Sequence, residues 1–127
     1  MKKPGVLLTA LFLVLSSFNA IAQSKTGTDY FIGKWHVLIP GTPLGDLKRF
    51  YIFEKNGESL SGQVQDGTSG AELAKFTKVE LKGDQVTAYY SVNDLDVTVV
   101  FIKKDEDHIT GTVLGTYDAT GERVKVK

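Results

Sequence analysis

The sequence predicts an all-β domain: an antiparallel up-and-down meander of about eight strands that closes into a small barrel. Short runs rich in Val, Ile, Phe, Tyr and Thr alternate with turn sequences such as Asn56-Gly57 and Gly83-Asp84. No segment keeps a helical period. Gly62 and Gly111 fall inside strand-like runs, where glycine usually marks sharp curvature. A sheet that curves repeatedly tends to close on itself, which also removes its exposed edges.

The positions of the turns divide the chain into strands. In the clearest segment, Val86, Ala88 and Tyr90 alternate with polar residues, which predicts one dry and one wet face. The predicted strands are Phe31–Ile39, Lys48–Lys55, Leu60–Asp66, Ala74–Lys82, Gln85–Val92, Asp96–Lys103, His108–Gly115 and Glu122–Lys127.

A weak internal repeat supports this arrangement. Residues 53–64 match residues 102–113 without a gap, each copy having an apolar strand end, a charged turn and a strand with an internal glycine. Both copies predict the same hairpin. The equivalent glycines, Gly62 and Gly111, predict a sheet that bends at two corresponding places.

The N-terminus has the pattern of an export signal. Lys2 and Lys3 precede the apolar run Val6–Phe18, and Ala20 and Ala22 suit a signal peptidase. Residues 1–22 are therefore predicted to be a signal peptide, with export to the periplasm or the medium. A membrane anchor is the alternative, but the run is shorter than the ~20 residues that span a bilayer. The chain has no cysteine, so the exported protein is not a lipoprotein.

Cleavage at this point defines the mature chain. Residues 23–29 are predicted to be a flexible tail, and residues 30–127 the barrel domain. The mature chain keeps 13 basic residues (15 minus two) against 15 acidic ones, so it lacks the basic face that nucleic acid requires. No cysteine means no disulfide, and the core alone must hold the fold. No membrane span is expected in the mature chain.

The sequence offers no constellation for catalysis. His36 and His108 are the two histidines, and a solvated side chain is the favoured interpretation of each. The acidic turn Asp105–Asp107 beside His108 lacks the spacing of a calcium loop. Asp94 and Asp96 suit a glycosidase pair only if a cleft lies between them. We therefore expect a protein that is not an enzyme and has neither a metal nor a cofactor.

The segment Gly33-Lys34-Trp35 carries Gly-x-Trp at the start of the first strand. It resembles the opening of calycin-type barrels, the group that includes lipocalins, and the chain is similar to small exported bacterial lipocalin-like domains. This resemblance implies that Trp35 plugs one end of the barrel together with Gly33. It also implies that Arg123, on the last strand, packs on the tryptophan ring.

Two functions remain open at this stage. The first is binding of a small hydrophobic or amphipathic ligand at the barrel mouth, where the irregular connection predicted over Gly41–Asp46 is either a lid that contacts the ligand or a proline-stiffened crossing between the first two strands. The candidate ligand-binding residues are Trp35, Pro43, Leu44, Tyr51 and Tyr90. The second is an accessory module with a filled core, in which an outer face carrying Tyr89, Val100 and Ile102 contacts an envelope protein or a polysaccharide.

Overall fold

The computed structural model describes residues 27–125 as one short helix followed by nine antiparallel strands in a single sheet. The predicted signal peptide lies outside the described residues. The elements are α1 Gly27–Phe31, β1 Gly33–Thr42, β2 Gly45–Asn56, β3 Ser59–Asp66, β4 Glu72–Lys75, β5 Lys78–Lys82, β6 Gln85–Val92, β7 Leu95–Asp105, β8 His108–Val113 and β9 Tyr117–Arg123.

Alternating side chains divide the sheet into an apolar inner face and a more polar outer face. In β6, Val86, Ala88 and Tyr90 are buried, whereas the residues between them are only partly buried. This confirms the predicted dry and wet faces. The same alternation in β1 buries Trp35 and Val37. One continuous core therefore lies inside the curve of the sheet.

The sheet closes through a bend in one strand. The strand order is β4-β3-β2-β1-β9-β8-β7-β6-β5, which puts β4 and β5 at opposite ends of the order. Only Phe76 and Thr77 separate these two strands in the chain. The Phe76 amide donates to the carbonyl of Gly62 on β3 at 2.9 Å, and the Thr77 amide donates to that of Tyr89 on β6 at 2.7 Å. The predicted strand Ala74–Lys82 is thus one bent strand that pairs with both neighbours, and the predicted eight-strand meander barrel is confirmed.

The two ends of the barrel differ. The β2–β3, β5–β6 and β7–β8 turns lie at one end together with α1, which we call the closed end. The Tyr30 hydroxyl ties α1 to this end by donating to the backbone carbonyls of Asp105 and His108, the latter at 2.9 Å. The turns β1–β2, β3–β4, β6–β7 and β8–β9 lie at the opposite end, which we call the open end.

The first strand begins later than predicted. Phe31 was expected to open β1, and residues 27–29 to belong to a tail, but Gly27–Phe31 form α1 and β1 starts at Gly33. Tyr30 and Phe31 are both fully buried, with ring centroids 4.9 Å apart. Burial of two large aromatic rings against the barrel end outweighs the weak local preference for a strand.

The connection between β1 and β2 is also tighter than predicted. The expected irregular loop Gly41–Asp46 is a hairpin with a two-residue turn, Pro43-Leu44. The Thr42 hydroxyl donates to the Gly45 carbonyl at 2.5 Å and accepts from the Leu44 amide at 3.1 Å. These local bonds hold the turn closed, so no long lid covers the barrel here.

The last hairpin lies earlier in the chain than predicted. A turn was expected at Thr120-Gly121, before a strand starting at Glu122, but β9 starts at Tyr117. Gly121 faces the barrel interior, where an added Cβ would lie 2.8 Å from Ile109 and 3.0 Å from Val37. The glycine is therefore needed for close packing inside a strand and does not mark a turn.

Gly62 and Gly111 allow close approach of neighbouring strands. A Cβ on Gly62 would lie 1.8 Å from the Ile52 carbonyl oxygen, and one on Gly111 would lie 1.7 Å from the Val100 carbonyl oxygen. No side chain fits at these distances. The two positions are structurally equivalent, as the repeat predicts.

The repeat needs one correction. Gly62 pairs with Phe53, and the gap-free alignment places Ile102 opposite Gly111 in the same way. In the structure Gly111 pairs with Phe101 instead. The β7–β8 hairpin contains one extra residue, and its register shifts after Lys103. A bulge of this kind adds twist and explains why a gap-free match is off by one.

We predict that Gly111→Ala destabilises the protein by about 3 kcal/mol, because the new methyl group must displace a backbone carbonyl. Gly83→Ala is the control, since Gly83 lies in a turn with φ +61° and has no atom within 4 Å of an added Cβ. Its cost is expected to be only ~1 kcal/mol, from the left-handed backbone alone. Urea denaturation of both variants measures the difference. Equal losses would contradict the close approach at Gly111.

Candidate functional site at the open end of the barrel

The closed end is plugged by a cation–aromatic stack. Trp35 is fully buried, and its indole nitrogen donates to the carbonyl of Phe31 at 3.0 Å. Arg123 pairs with Trp35 across β1 and β9, and its Cζ atom lies 4.3 Å from the centroid of the indole ring. Such a contact stabilises a protein by ~0.5–2 kcal/mol.

Backbone and carboxylate oxygens hold Arg123 in place. Its Nη2 and Nε atoms donate to the Glu106 carbonyl at 2.7 and 3.2 Å, and Nε lies 3.3 Å from an Asp107 carboxylate oxygen. The guanidinium also lies 5.1 Å from the ring centroid of Tyr30. Burial raises the pKa of Tyr30 to about 12, although the charge of Arg123 opposes this shift. The closed end is therefore held by packed rings and hydrogen bonds, and a surface cleft of about 380 Å³, lined in part by Ile32, Gly33 and Val124, borders it.

Gly33 contributes to this end through its backbone. Its φ angle is +127°, a conformation that residues with a side chain rarely adopt. A Cβ at this position would meet only the Arg123 Nη1 atom, at 4.0 Å. Space is therefore not the constraint, and the glycine of Gly-x-Trp is explained by the turn from α1 into β1.

An aromatic layer fills the middle of the barrel. The hydroxyl groups of Tyr51 and Tyr90 are 2.7 Å apart in a buried hydrogen bond. The Tyr51 ring contacts Phe101 at a centroid distance of 5.0 Å and Phe76 at 6.2 Å. Burial raises the pKa of Tyr51 well above its ordinary value and also raises that of Tyr90. The interior is packed at this level, so a ligand can reach only as far as this layer.

Exposed leucines surround the open end. Three of the four exposed large apolar side chains among residues 27–125 lie at its turns: Leu44 is 82% exposed, Leu95 52% and Leu114 39%. The fourth, Ile102, lies on the outer wall of the barrel. Leu114 also has φ 59°, which costs about 1 kcal/mol or more for a residue with a bulky side chain. We call these three residues the leucine rim.

A partly apolar surface lies inside the rim. Leu47, Val92 and Tyr117 are half-buried and pack against the core from its open side. Arg49 is on the inward face of β2, two residues from Tyr51, and is also half-buried. We call these four residues, together with Leu95, the mouth.

The positive charge of Arg49 acts on the tyrosine pair below it. It lowers the pKa of both Tyr51 and Tyr90, although burial outweighs this effect. Asp66 pairs with Arg49 across β2 and β3. One oxygen of the Asp66 carboxylate accepts hydrogen bonds from the amides of Thr68 and Ser69, at 2.7 and 3.1 Å. This oxygen is therefore already engaged by the turn that follows β3. The mouth therefore combines apolar surface with one guanidinium group.

The structure separates the predicted ligand-binding residues into three levels. Trp35 belongs to the closed end, Tyr51 and Tyr90 to the middle layer, and Pro43 and Leu44 to the tip of the β1–β2 turn. The two tyrosines share a hydrogen bond, and Tyr51 is also the cross-strand partner of Trp35.

Sequence analysis missed Leu95, Leu114 and Arg49 as mouth or rim residues. The available signal was an apolar residue next to turn chemistry: Leu95 follows Asn93-Asp94, and Leu114 precedes Gly115. Isolated leucines beside turns are common, however. Only the topology shows that these turns share one end of the barrel.

Of the residues considered for catalysis, His36 and His108 lie in one surface cleft, and Asp94 and Asp96 lie elsewhere. Asp96 accepts a hydrogen bond from the Ser91 hydroxyl at 2.6 Å, and Asp94 lies in the preceding turn with φ 65°. His36 is on the outer wall, with its ring 5.0 Å from that of Phe50. His108 bonds to Asp105 through Nδ1 at 2.7 Å. Within residues 27–125, no three imidazole or carboxylate groups already have the arrangement of a metal site.

Comparison with known proteins supports the fold and goes no further. A solved structure described as a redesigned beta barrel is similar to this chain, with a TM-score of 0.57 and 18% sequence identity. The match covers 76% of this chain and 94% of the redesigned barrel. No protein-family model matches the chain, and no curated protein matches it. In the part of the chain that the structure describes, no helix is long and apolar enough to cross a membrane.

We predict that Trp35→Ala destabilises the protein by ~3–5 kcal/mol, because it removes a fully buried ring and the surface on which Arg123 stacks. The control is Ile102→Ala on the outer wall, which is expected to cost less than 1 kcal/mol. Urea denaturation followed by circular dichroism suits both variants, since the only tryptophan is lost in the first. A near-neutral effect of Trp35→Ala would show that the ring does not plug the barrel.

Proposed function

We propose that this chain is an exported, non-enzymatic binding protein that holds a small amphipathic molecule at the open end of its barrel. The observation that carries the proposal is the leucine rim. Apolar side chains exposed at one place on a small protein are costly in water, and they commonly mark a binding surface. Here they ring one end of a barrel, and barrel mouths are frequent sites for small ligands.

The filled interior determines the form of this site. An eight-strand barrel is only just wide enough for side chains to fill it or for one small ligand to enter. The Tyr51–Tyr90 pair and its aromatic neighbours occupy that space. The ligand therefore rests on this layer as a floor, with its apolar part against the apolar side chains of the mouth, and is only partly enclosed.

Arg49 favours a ligand with an anionic group. It lies on the inward face between the rim and the tyrosine floor, where its Nη1 atom donates to the Lys48 carbonyl at 2.9 Å and its charge lowers the pKa of Asp66, but none of the salt bridges within residues 27–125 includes it. Guanidinium groups bind carboxylate or phosphate through two parallel hydrogen bonds. An apolar chain with one acidic group complements the combination of leucines and arginine.

Export follows from the N-terminal pattern. A signal peptide over residues 1–22 supports a place in the periplasm or the medium. The Gly-x-Trp segment and the stack of Arg123 on Trp35 fit a lipocalin-like bacterial domain of the cell envelope. That family relationship is part of the proposal.

A second candidate is an interaction module that uses the outer wall to contact a protein or a polysaccharide. Ile102 is 43% exposed there, which is the observation in its favour. Other residues of that wall are engaged: the Tyr89 hydroxyl donates to Glu80 at 2.9 Å, and Lys78 lies over the Tyr89 ring at 5.7 Å. One exposed isoleucine offers less apolar surface than the leucine rim, so we favour the mouth.

Binding of a fluorescent anionic amphiphile, anilinonaphthalene sulfonate, to residues 23–127 tests the proposal. We predict that Leu95→Ser weakens binding about fivefold to tenfold, since it removes roughly 1 kcal/mol of apolar contact. Ile102→Ser is the matched control, because the two side chains are similarly exposed, and it is expected to leave the affinity unchanged. Arg49→Gln is expected to weaken binding of this probe but not that of a neutral amphiphile such as decyl maltoside.

Two results would overturn the proposal. No binding by either probe to the folded protein would remove the mouth as a ligand site. Equal weakening by Leu95→Ser and Ile102→Ser would mean that the probes bind the surface at large, and a larger effect of Ile102→Ser would favour the outer-wall module.

A further inference from the structure

Three polar side chains lie in a row across neighbouring strands on the outer wall. Glu122 on β9 pairs with His36 on β1 on one side and with His108 on β8 on the other. Their neighbours in sequence, such as Trp35 and Ile109, face the interior, so these three residues face outward. Adjacent strands lie ~4.8 Å apart. The row therefore places two imidazoles on either side of one carboxylate.

His108 is already oriented toward this carboxylate. Its Nδ1 atom lies 2.7 Å from an Asp105 oxygen, and its Nε2 atom lies 4.0 Å from a Glu122 oxygen. Histidines that bind metals usually give their other ring nitrogen to a carboxylate, which fixes the ring and its tautomer. Asp105 occupies that position here.

The three side chains line one surface cleft. Its volume is about 220 Å³, and Leu38, Thr120 and Gly121 complete its walls. The His36 ring packs against Phe50 on the same outer surface, with 5.0 Å between centroids. In this position the His36 ring rests on Phe50, so binding of a cation requires it to turn about its side-chain bonds toward Glu122, its cross-strand partner.

We propose that His36, His108 and Glu122 bind one divalent transition-metal ion, with Zn²⁺ as the reference case, and that Asp105 positions His108. Two imidazole nitrogens and one carboxylate oxygen, with water in the fourth position, form a set that Zn²⁺ accepts in tetrahedral geometry. Imidazole ligands favour Zn²⁺, Ni²⁺ or Cu²⁺ over Mg²⁺ and Ca²⁺. The two carboxylates, Asp105 and Glu122, supply the negative charge that attracts the cation. The sequence alone predicted no metal, because nothing in it shows that residues 36, 108 and 122 are neighbours.

Isothermal titration of residues 23–127, purified without a histidine tag, tests the site with ZnCl₂ and MgCl₂. We expect one Zn²⁺ per chain and no comparable binding of Mg²⁺. His36→Gln, His108→Gln and Glu122→Gln are each expected to weaken Zn²⁺ binding about tenfold or more. Asp118→Asn is the matched control, since Asp118 is an exposed carboxylate on the same strand and lies outside the cleft. It is expected to leave the affinity unchanged.

Several results would overturn the proposal: no Zn²⁺ binding, equal binding of Mg²⁺, or unchanged affinity in His36→Gln. Equal weakening by Asp118→Asn would also do so, because it would indicate general attraction to surface carboxylates. The mouth lies elsewhere on the barrel, so Leu95→Ser is expected to leave Zn²⁺ binding unchanged. The Zn²⁺ titration therefore tests the metal site independently of the probe binding that tests the ligand site at the mouth.

Discussion

The bend at Phe76 and Thr77 is the contact on which the rest of this structure depends. One amide of the pair bonds to β3 and the next bonds to β6, so a single strand joins two edges that would otherwise be exposed. Open sheet edges invite pairing with other chains. Closure also encloses the inner face, and without it Trp35, Tyr51 and Phe101 would not be buried together. These two hydrogen bonds come from adjacent residues, but the enclosure of the whole core depends on them.

Closure leaves two ends, and the chain treats them differently. At the closed end, α1 adds Tyr30 and Phe31, and Arg123 stacks on the Trp35 ring. There the aromatic rings are buried, and the side-chain nitrogens of Trp35 and Arg123 donate to backbone carbonyls. At the open end, three of the four turns contain or adjoin an exposed leucine. This asymmetry is the physical reason for proposing a ligand site at the open end, because three of the exposed large apolar side chains among residues 27–125 lie there.

Much of the fold could be predicted because its signals are local. The alternation in β6 and the turn sequences mark the strands, and the repeat identifies Gly62 and Gly111 as equivalent. Other features depend on contacts between distant residues. Gly121 looks like a turn residue until Val37 and Ile109 are seen to crowd it. The bend that divides one strand at Phe76 likewise depends on distant residues, because the first half of the strand pairs with β3 and the second half with β6.

The candidate sites were harder to predict than the fold, for the same reason. Leu44, Leu95 and Leu114 are far apart in sequence, and only the order of the strands puts them at one end. His36, His108 and Glu122 meet because β9 lies between the first and eighth strands. Each residue alone has an ordinary surface interpretation, and a row of three becomes visible only with the strand register.

Amide hydrogen exchange at Phe76 and Thr77 tests barrel closure most directly. If the bent strand joins β3 to β6, both amides are protected to the same degree as paired amides in β3 and β6, because exchange then requires opening of the barrel. The turn amide of Thr68, which bonds only to a nearby side chain, provides a fast-exchanging reference in the same protein. Exchange of Phe76 and Thr77 as fast as that of Thr68 would contradict closure and would leave an open sheet with two free edges.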